Sequence, residues 1–113
     1  MRFSECFREL YKDDVKICFV SFSDVSDKDN PERFDLIKSH LQTRAVENIM
    51  TVISVNSISK FQTVPTAVID HNGYLILEAP RNEEYLIIHD YTEPKLSFGI
   101  EGRKKNNDLL LGD

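Results

Sequence analysis

The residues from Phe61 to Leu77 constrain the fold more than any other part of the chain. They read Phe-Gln-Thr-Val-Pro-Thr-Ala-Val-Ile-Asp-His-Asn-Gly-Tyr-Leu-Ile-Leu, with β-branched and aliphatic residues on both sides of His71-Asn72-Gly73. Asn and Gly tolerate the positive φ that a hairpin turn needs, and Pro65 cannot donate a ladder hydrogen bond, which places it at a strand start or edge. The stretch therefore predicts a proline-led strand, a tight turn and a second strand.

Length and composition fit one globular domain. The chain has 113 residues, of which 41% are hydrophobic and 29% are charged, as expected for a domain with one core. No apolar run approaches the roughly 20 residues of a membrane helix, and the N-terminus lacks the apolar segment of a signal peptide, so we expect a cytoplasmic protein. We expect residues 1–102 to form the globular domain and residues 103–113 a mobile tail.

Helical and strand patterns alternate in the first half of the chain. Ser4–Asp13 has the apolar spacing of a short amphipathic helix. Val15–Phe22 is a nearly continuous apolar run, which is typical of a central strand covered on both faces. Asn30-Pro31-Glu32 marks the start of a long helix that reaches Asn48, and Met50–Val55 predicts the next strand.

The second half of the chain favours strands. Arg81–Tyr91 is ambiguous, because Asn82 resembles a helix cap, but its Tyr-Leu-Ile-Ile-His-Asp-Tyr run favours a strand. Lys95–Ile100 is expected to add an extended piece. The expected fold class is α/β or α+β, as a single domain with a mixed central sheet of four or five strands and the long helix packed on it.

The order of elements, with Val64-Pro65-Thr66 and the Asn72-Gly73 turn, resembles the thioredoxin-like fold. The resemblance implies a cis-proline at Pro65. It also places the redox cysteines just after the central strand, where this chain reads Ser-Asp-Val-Ser-Asp-Lys-Asp-Asn-Pro. Because disulfide exchange needs an attacking thiolate, the resemblance implies a redox-inactive relative.

The first functional prediction is a non-enzymatic protein-interaction or adaptor module. In the fold that the chain resembles, the proline turn and the loop after the central strand meet and hold an extended polypeptide. The partner-binding residues expected on this basis are Asp24, Asp27, Val64, Pro65, Thr66 and Tyr74. No cofactor is expected. The acidic loop from Ser23 to Asn30 lacks the ligand spacing of an EF-hand. Two cysteines and three scattered histidines do not assemble a zinc site. No metal is therefore expected.

Two other functions remain open. A small nucleic-acid or nucleotide-binding protein would use a local basic patch of Arg81, Arg103, Lys104 and Lys105, although the net charge of −5 argues against a broad phosphate-binding surface. An enzyme could assemble an unrecognised site around His71 or His89. The apolar Leu109-Leu110-Leu111 run predicts either fold-back onto the core or an interface, including one with a second copy of the chain.

Overall fold

The computed structural model describes residues 4–22, 31–56, 64–95 and 97–111. Within them it forms a small mixed α/β domain of four strands and three helices. The helices are α1 (Ser4–Lys12), α2 (Pro31–Asn48) and α3 (Phe98–Leu110); the strands are β1 (Ile17–Phe22), β2 (Thr51–Asn56), β3 (Ala67–Ile69) and β4 (Leu75–Glu78). The predicted mixed sheet and the long helix are therefore confirmed.

The four strands lie in the order β1-β2-β3-β4. β1 and β2 are parallel, with α2 as the connection between them, and the pairs β2–β3 and β3–β4 are antiparallel. The first apolar run was predicted to be a central strand covered on both faces. Among the described strands β1 instead lies at the edge of the sheet, and its Phe19 side chain is open. Phe19 is 68% exposed.

The core lies between α2 and one face of the sheet. Ile37, Leu41 and Ala45 fall at steps of four along α2, and all three are fully buried. They pack with Val52 of β2 and Ile69 of β3 in one hydrophobic cluster. The predicted apolar stripe of the long helix is thus confirmed, and its burial against the sheet fixes the register of the central strands.

The hairpin between β3 and β4 also confirms the sequence prediction. The main-chain N–H of Gly73 donates to the carbonyl of Asp70 (2.9 Å), and the Asp70 carboxylate accepts from the N–H groups of Asn72 and Tyr74. Gly73 has φ +84°, which is the conformation that glycine adopts without steric cost. The predicted turn therefore forms, with the positive φ at Gly73 of the Asn-Gly pair. The hydrogen bonds to the Asp70 carboxylate were not part of the sequence prediction.

The last third of the chain differs from the sequence prediction. Residues 80–95 contain no helix or strand, so the predicted strand over Tyr85–Tyr91 does not form. The expected extended piece at Lys95–Ile100 is also wrong, because α3 begins at Phe98 with Ser97 as its N-cap (Ile100 N to Ser97 Oγ, 3.2 Å). The expected division after residue 102 falls inside α3; the mobility of the segment beyond it stays a prediction.

Candidate functional site

The residues predicted to hold a polypeptide partner are largely inside the molecule. Val64 and Pro65 are buried, and their carbonyls accept hydrogen bonds from Asn56 Nδ2 (2.9 Å) and Ser54 Oγ (3.1 Å). The Val64–Pro65 peptide bond is trans rather than cis. Val64 and Pro65 are therefore hydrogen-bonded to β2 and offer little surface to a partner.

The other members of that predicted set are not assembled into one described site. Thr66 is half-buried and uses its carbonyl to accept from Ala79 N (2.8 Å). Tyr74 is 70% exposed at the start of β4. Asp24 and Asp27 lie outside the described residues.

Arg81 lies apart from the other three basic residues of the nucleic-acid hypothesis, which are consecutive in α3. The Arg81 guanidinium lies 5.3 Å from the ring centroid of Phe34, beyond the end of β4. Arg103 donates to Asn72 Oδ1 (3.3 Å), in the turn at the other end of that strand. Lys104 and Lys105 are exposed on α3. A continuous phosphate-binding patch needs clustered cations, and β4 lies between Arg81 and the turn that Arg103 contacts.

Neither thiol of the chain is placed beside a catalytic base in the described structure. Cys6 is exposed on α1, and Cys18 is half-buried in β1. Burial raises the pKa of the Cys18 thiol, which keeps it protonated and poorly nucleophilic. Among the described residues, no group of three or more His, Cys, Asp or Glu side chains is arranged to hold a metal ion.

A cavity of about 370 Å³ opens between α1, the C-terminal end of α2 and α3. Val15, Ile49, Ile100 and Leu111 supply its aliphatic wall. This volume is within the usual range for small-molecule sites. The sequence carries no signal of this cavity, because its walls come from segments that are far apart in the chain.

Polar groups around the cavity tie the helices together. The Tyr11 hydroxyl donates to Asp108 Oδ1 at 2.9 Å, which links α1 to α3. Burial, and then the hydrogen bond to the Asp108 carboxylate, raise the pKa of Tyr11 to about 12. Lys12, Lys16 and Lys104 also line the cavity, and Lys16 is paired with Asp14 (3.1 Å). These charged and hydroxyl groups can orient a polar ligand.

The end of α2 forms an unusual part of the cavity wall. Ile49 has φ +53°, a left-handed conformation that a β-branched residue adopts only under constraint. The neighbouring Asn48 is buried, donates to the Arg44 carbonyl (2.9 Å) and leaves its Oδ1 atom without a hydrogen-bond partner. The left-handed residue that ends a helix is usually Gly and sometimes Asn. Here it is Ile49, which follows Asn48, so no residue type in the sequence signals this strain.

The described helices include none that is both long enough and apolar enough to cross a membrane.

Sequence comparison does not place the chain in a family. No family model matches it, and no curated protein matches it.

Solved structures of the nitrilase superfamily share its fold. An amidase from Nesterenkonia, solved as a cysteine-to-alanine mutant, aligns with a TM-score of 0.57 and 20% identity over 68% of this chain and 29% of its own. A carbon–nitrogen hydrolase from Helicobacter pylori aligns with a TM-score of 0.60 and 15% identity, over 74% of this chain and 34% of its own. A CN-hydrolase superfamily protein from Xanthomonas campestris aligns with a TM-score of 0.54 and 24% identity, over 88% of this chain and 36% of its own. That protein carries an arsenic adduct in its active site. The chain thus spans about a third of the length of the solved structures that it matches.

These likenesses correct the sequence-based identification. The neighbours are CN-hydrolase folds, so the thioredoxin-like resemblance is wrong, as is the redox-inactive adaptor inferred from it. The basic-patch alternative gains no support from them either. At identities below 25% the comparison establishes the fold of the matched region.

Proposed function

We propose that this chain acts in the hydrolysis of a carbon–nitrogen bond, with an amide as the substrate class. The likeness of its fold to an amidase, a carbon–nitrogen hydrolase and a CN-hydrolase superfamily protein carries the proposal. One of these hydrolases is described as an amidase and another as a carbon–nitrogen hydrolase. This chain spans about a third of each of these solved structures, so the activity of the whole neighbours is a proposal for this chain.

The two cysteine thiols differ in their suitability as the nucleophile of amide hydrolysis. Amide hydrolysis by a covalent route needs an activated nucleophile that can reach the carbonyl carbon. Cys18 is half-buried and its raised pKa keeps it as the thiol. Cys6 is exposed on the first turn of α1, so it is the one of the two that a substrate can reach.

The test is ammonia release by the purified protein from acetamide, propionamide and propionitrile, followed by a coupled enzymatic assay. We expect release from at least one amide above the rate in buffer alone. Cys18→Ser should retain the release, because a half-buried protonated thiol is not the nucleophile. Cys6→Ser should also retain it, because no catalytic base lies beside the exposed Cys6 thiol in the described structure. The absence of ammonia with every substrate would contradict the proposal, and loss of the release in Cys6→Ser alone would identify Cys6 as the nucleophile.

A further inference from the structure

The three helices around the cavity are fastened to one another by hydrogen bonds. The Tyr11 hydroxyl joins α1 to α3 through Asp108 (2.9 Å). Asn107 Nδ2 joins α3 to the end of α2 through the Glu47 carbonyl (2.8 Å). The cavity of about 370 Å³ is therefore formed before any ligand enters it, and a preformed site loses little conformational entropy on binding.

The most buried polar side chain in the described wall of this cavity is that of Asn48. It is 1% exposed, and its Nδ2 atom donates to the Arg44 carbonyl (2.9 Å). Its Oδ1 atom is left as an acceptor that receives no hydrogen bond from a described residue. A buried acceptor without a donor destabilises the folded state. A ligand that brings an N–H group into the cavity would supply the missing donor.

The backbone next to Asn48 is strained in the same wall. Ile49 has φ +53°, and a β-branched residue keeps this conformation only where its surroundings impose it. Strained residues of this kind cluster at ligand-binding sites. The unsatisfied acceptor and the strained backbone thus occupy consecutive residues of one cavity wall, which indicates that this wall is shaped for a ligand.

The apolar part of the wall is aliphatic. Val15, Ile49, Ile100 and Leu111 contribute to it. Ile100 is 8% exposed, and the other three are half-buried. Removal of apolar surface from water is the main driving force for binding in such a cavity. A branched alkyl group is therefore the apolar part that this wall fits.

The charged groups around the cavity balance one another. Among the described lining residues, three carry ammonium groups and three carry carboxylates: Lys12, Lys16, Lys104, Asp14, Glu93 and Asp108. An excess of either sign would favour a ligand of the opposite charge, whereas equal numbers favour a ligand that carries both charges. Lys12 and Lys104 form no ion pair with another described residue, so their ammonium groups can bind a carboxylate.

We propose that this cavity binds a free α-amino acid with a branched aliphatic side chain, for which leucine is the probe. The alkyl group of the ligand packs on the aliphatic wall, and its carboxylate binds the ammonium groups of Lys12 and Lys104. Its own ammonium group donates to Asn48 Oδ1. The proposal is independent of the hydrolase function, because neither cysteine is among the residues that line the cavity.

The main test is isothermal titration calorimetry of the full chain with leucine, for which we expect saturable binding with a millimolar Kd. Three related compounds each lack one part of the ligand: isocaproate lacks the ammonium group, isoamylamine the carboxylate and glycine the alkyl group. Each should bind at least tenfold more weakly. Isocaproate or isoamylamine binding as tightly as leucine would overturn the proposal. So would the absence of leucine binding, which would mean that solvent water satisfies Asn48.

Lys104→Ala and Lys105→Ala are a matched pair of variants. Both lysines are exposed on α3, but Lys105 does not line the cavity. Lys104→Ala should weaken leucine binding about threefold, the effect of one solvent-exposed charge pair, whereas Lys105→Ala should leave it unchanged. Circular dichroism checks that both variants are folded. Equal weakening by the two variants would overturn the proposal, because it would show a general effect of charge.

Nuclear magnetic resonance of the wild-type chain locates the bound leucine. The side-chain amide signals of Asn48 and the methyl signals of Ile49 and Ile100 should shift in proportion to saturation. Asn48→Leu, which removes Oδ1, should weaken binding at least tenfold. This variant also loses the bond to Arg44, so the wild-type signals provide the readout that does not depend on its stability. Shifts confined to residues outside the cavity would overturn the proposal.

Discussion

Gly73 couples the β3–β4 turn to helix α2. Its carbonyl accepts a hydrogen bond from Gln42 Nε2 (3.0 Å). A Cβ atom at this position would lie 3.2 Å from Val46 Cβ and 3.3 Å from the Gln42 carbonyl oxygen, in a backbone conformation with φ +84°. The Asn-Gly pattern predicts the turn from local chemistry, but the close approach of α2 comes from tertiary packing and has no local signature.

We expect Gly73→Ala to destabilise the protein by about 1–3 kcal/mol, because strain at a left-handed position adds to the close contact with Val46. Gly102→Ala is the matched control: its Cβ would meet nothing within 4 Å. In the interior of α3 that substitution should stabilise by about 0.5–1 kcal/mol through helix propensity. Urea unfolding of both variants measures the difference, and equal free energies of unfolding would contradict the packing that we describe around Gly73.

At the scale of secondary-structure elements, helix α3 was not predicted from the sequence. Its sequence, Phe-Gly-Ile-Glu-Gly-Arg-Lys-Lys-Asn-Asn-Asp-Leu-Leu, contains two glycines and two asparagines, which are poor helix formers. The helix is held by contacts distant in sequence: Ile100 is buried, Asn107 Nδ2 donates to the Glu47 carbonyl (2.8 Å), and Asp108 accepts from Tyr11.

Residues 85–91 are the opposite case. Their side chains favour a strand, but no main-chain hydrogen bond joins them to another described residue. Local propensity is a weak prior that tertiary context overrides in both directions. The hairpin and α2 were predictable because their caps, turn residues and apolar spacing all agree within a short window. The cavity beside α3 was not, because its walls meet only after the helix has docked.

The hydrogen bond between Tyr11 of α1 and Asp108 of α3 should make the free energy of unfolding fall at alkaline pH. The pKa of Tyr11 is raised from 10.0 to about 12, first by burial and then by the bond to Asp108. The folded state therefore holds the phenolic proton more tightly than the unfolded state, so the stabilisation is present below pH 10 and is lost as the pH rises to about 12. We expect wild-type stability to fall over this window, and Tyr11→Phe to remove that part of the fall.

Urea midpoints at pH 9 and pH 11 measure this dependence. Tyr74→Phe is the control, since Tyr74 is 70% exposed and makes no bond through its hydroxyl to another described residue. A wild-type pH dependence identical to that of Tyr11→Phe would show that the Tyr11–Asp108 contact does not stabilise the folded state.

At the scale of the whole molecule, the described structure has its main hydrophobic cluster on one face of a four-stranded sheet. That α/β arrangement followed from the alternation of helix and strand patterns. The thioredoxin-like identification failed, because an element order and one Val-Pro-Thr tripeptide recur in unrelated α/β proteins and specify neither strand order nor site. The solved nitrilase-superfamily structures establish the fold of the matched region.

The single cluster makes the stability of the whole molecule sensitive to the inner stripe of α2. Leu41 is fully buried, whereas Leu36 on the same helix is 51% exposed. Leu41→Ala should cost about 2–5 kcal/mol, because the substitution leaves a cavity between α2 and the sheet, and this is a large part of the 5–15 kcal/mol typical of a domain. Leu36→Ala, the same chemical change on the open side, should cost under about 0.5 kcal/mol. Guanidinium unfolding of the two variants compares them directly. A similar loss in both would mean that α2 does not present one buried face to the sheet, whereas a broad, multistep transition in the wild type would mean that α2 and the sheet do not unfold as one cooperative unit.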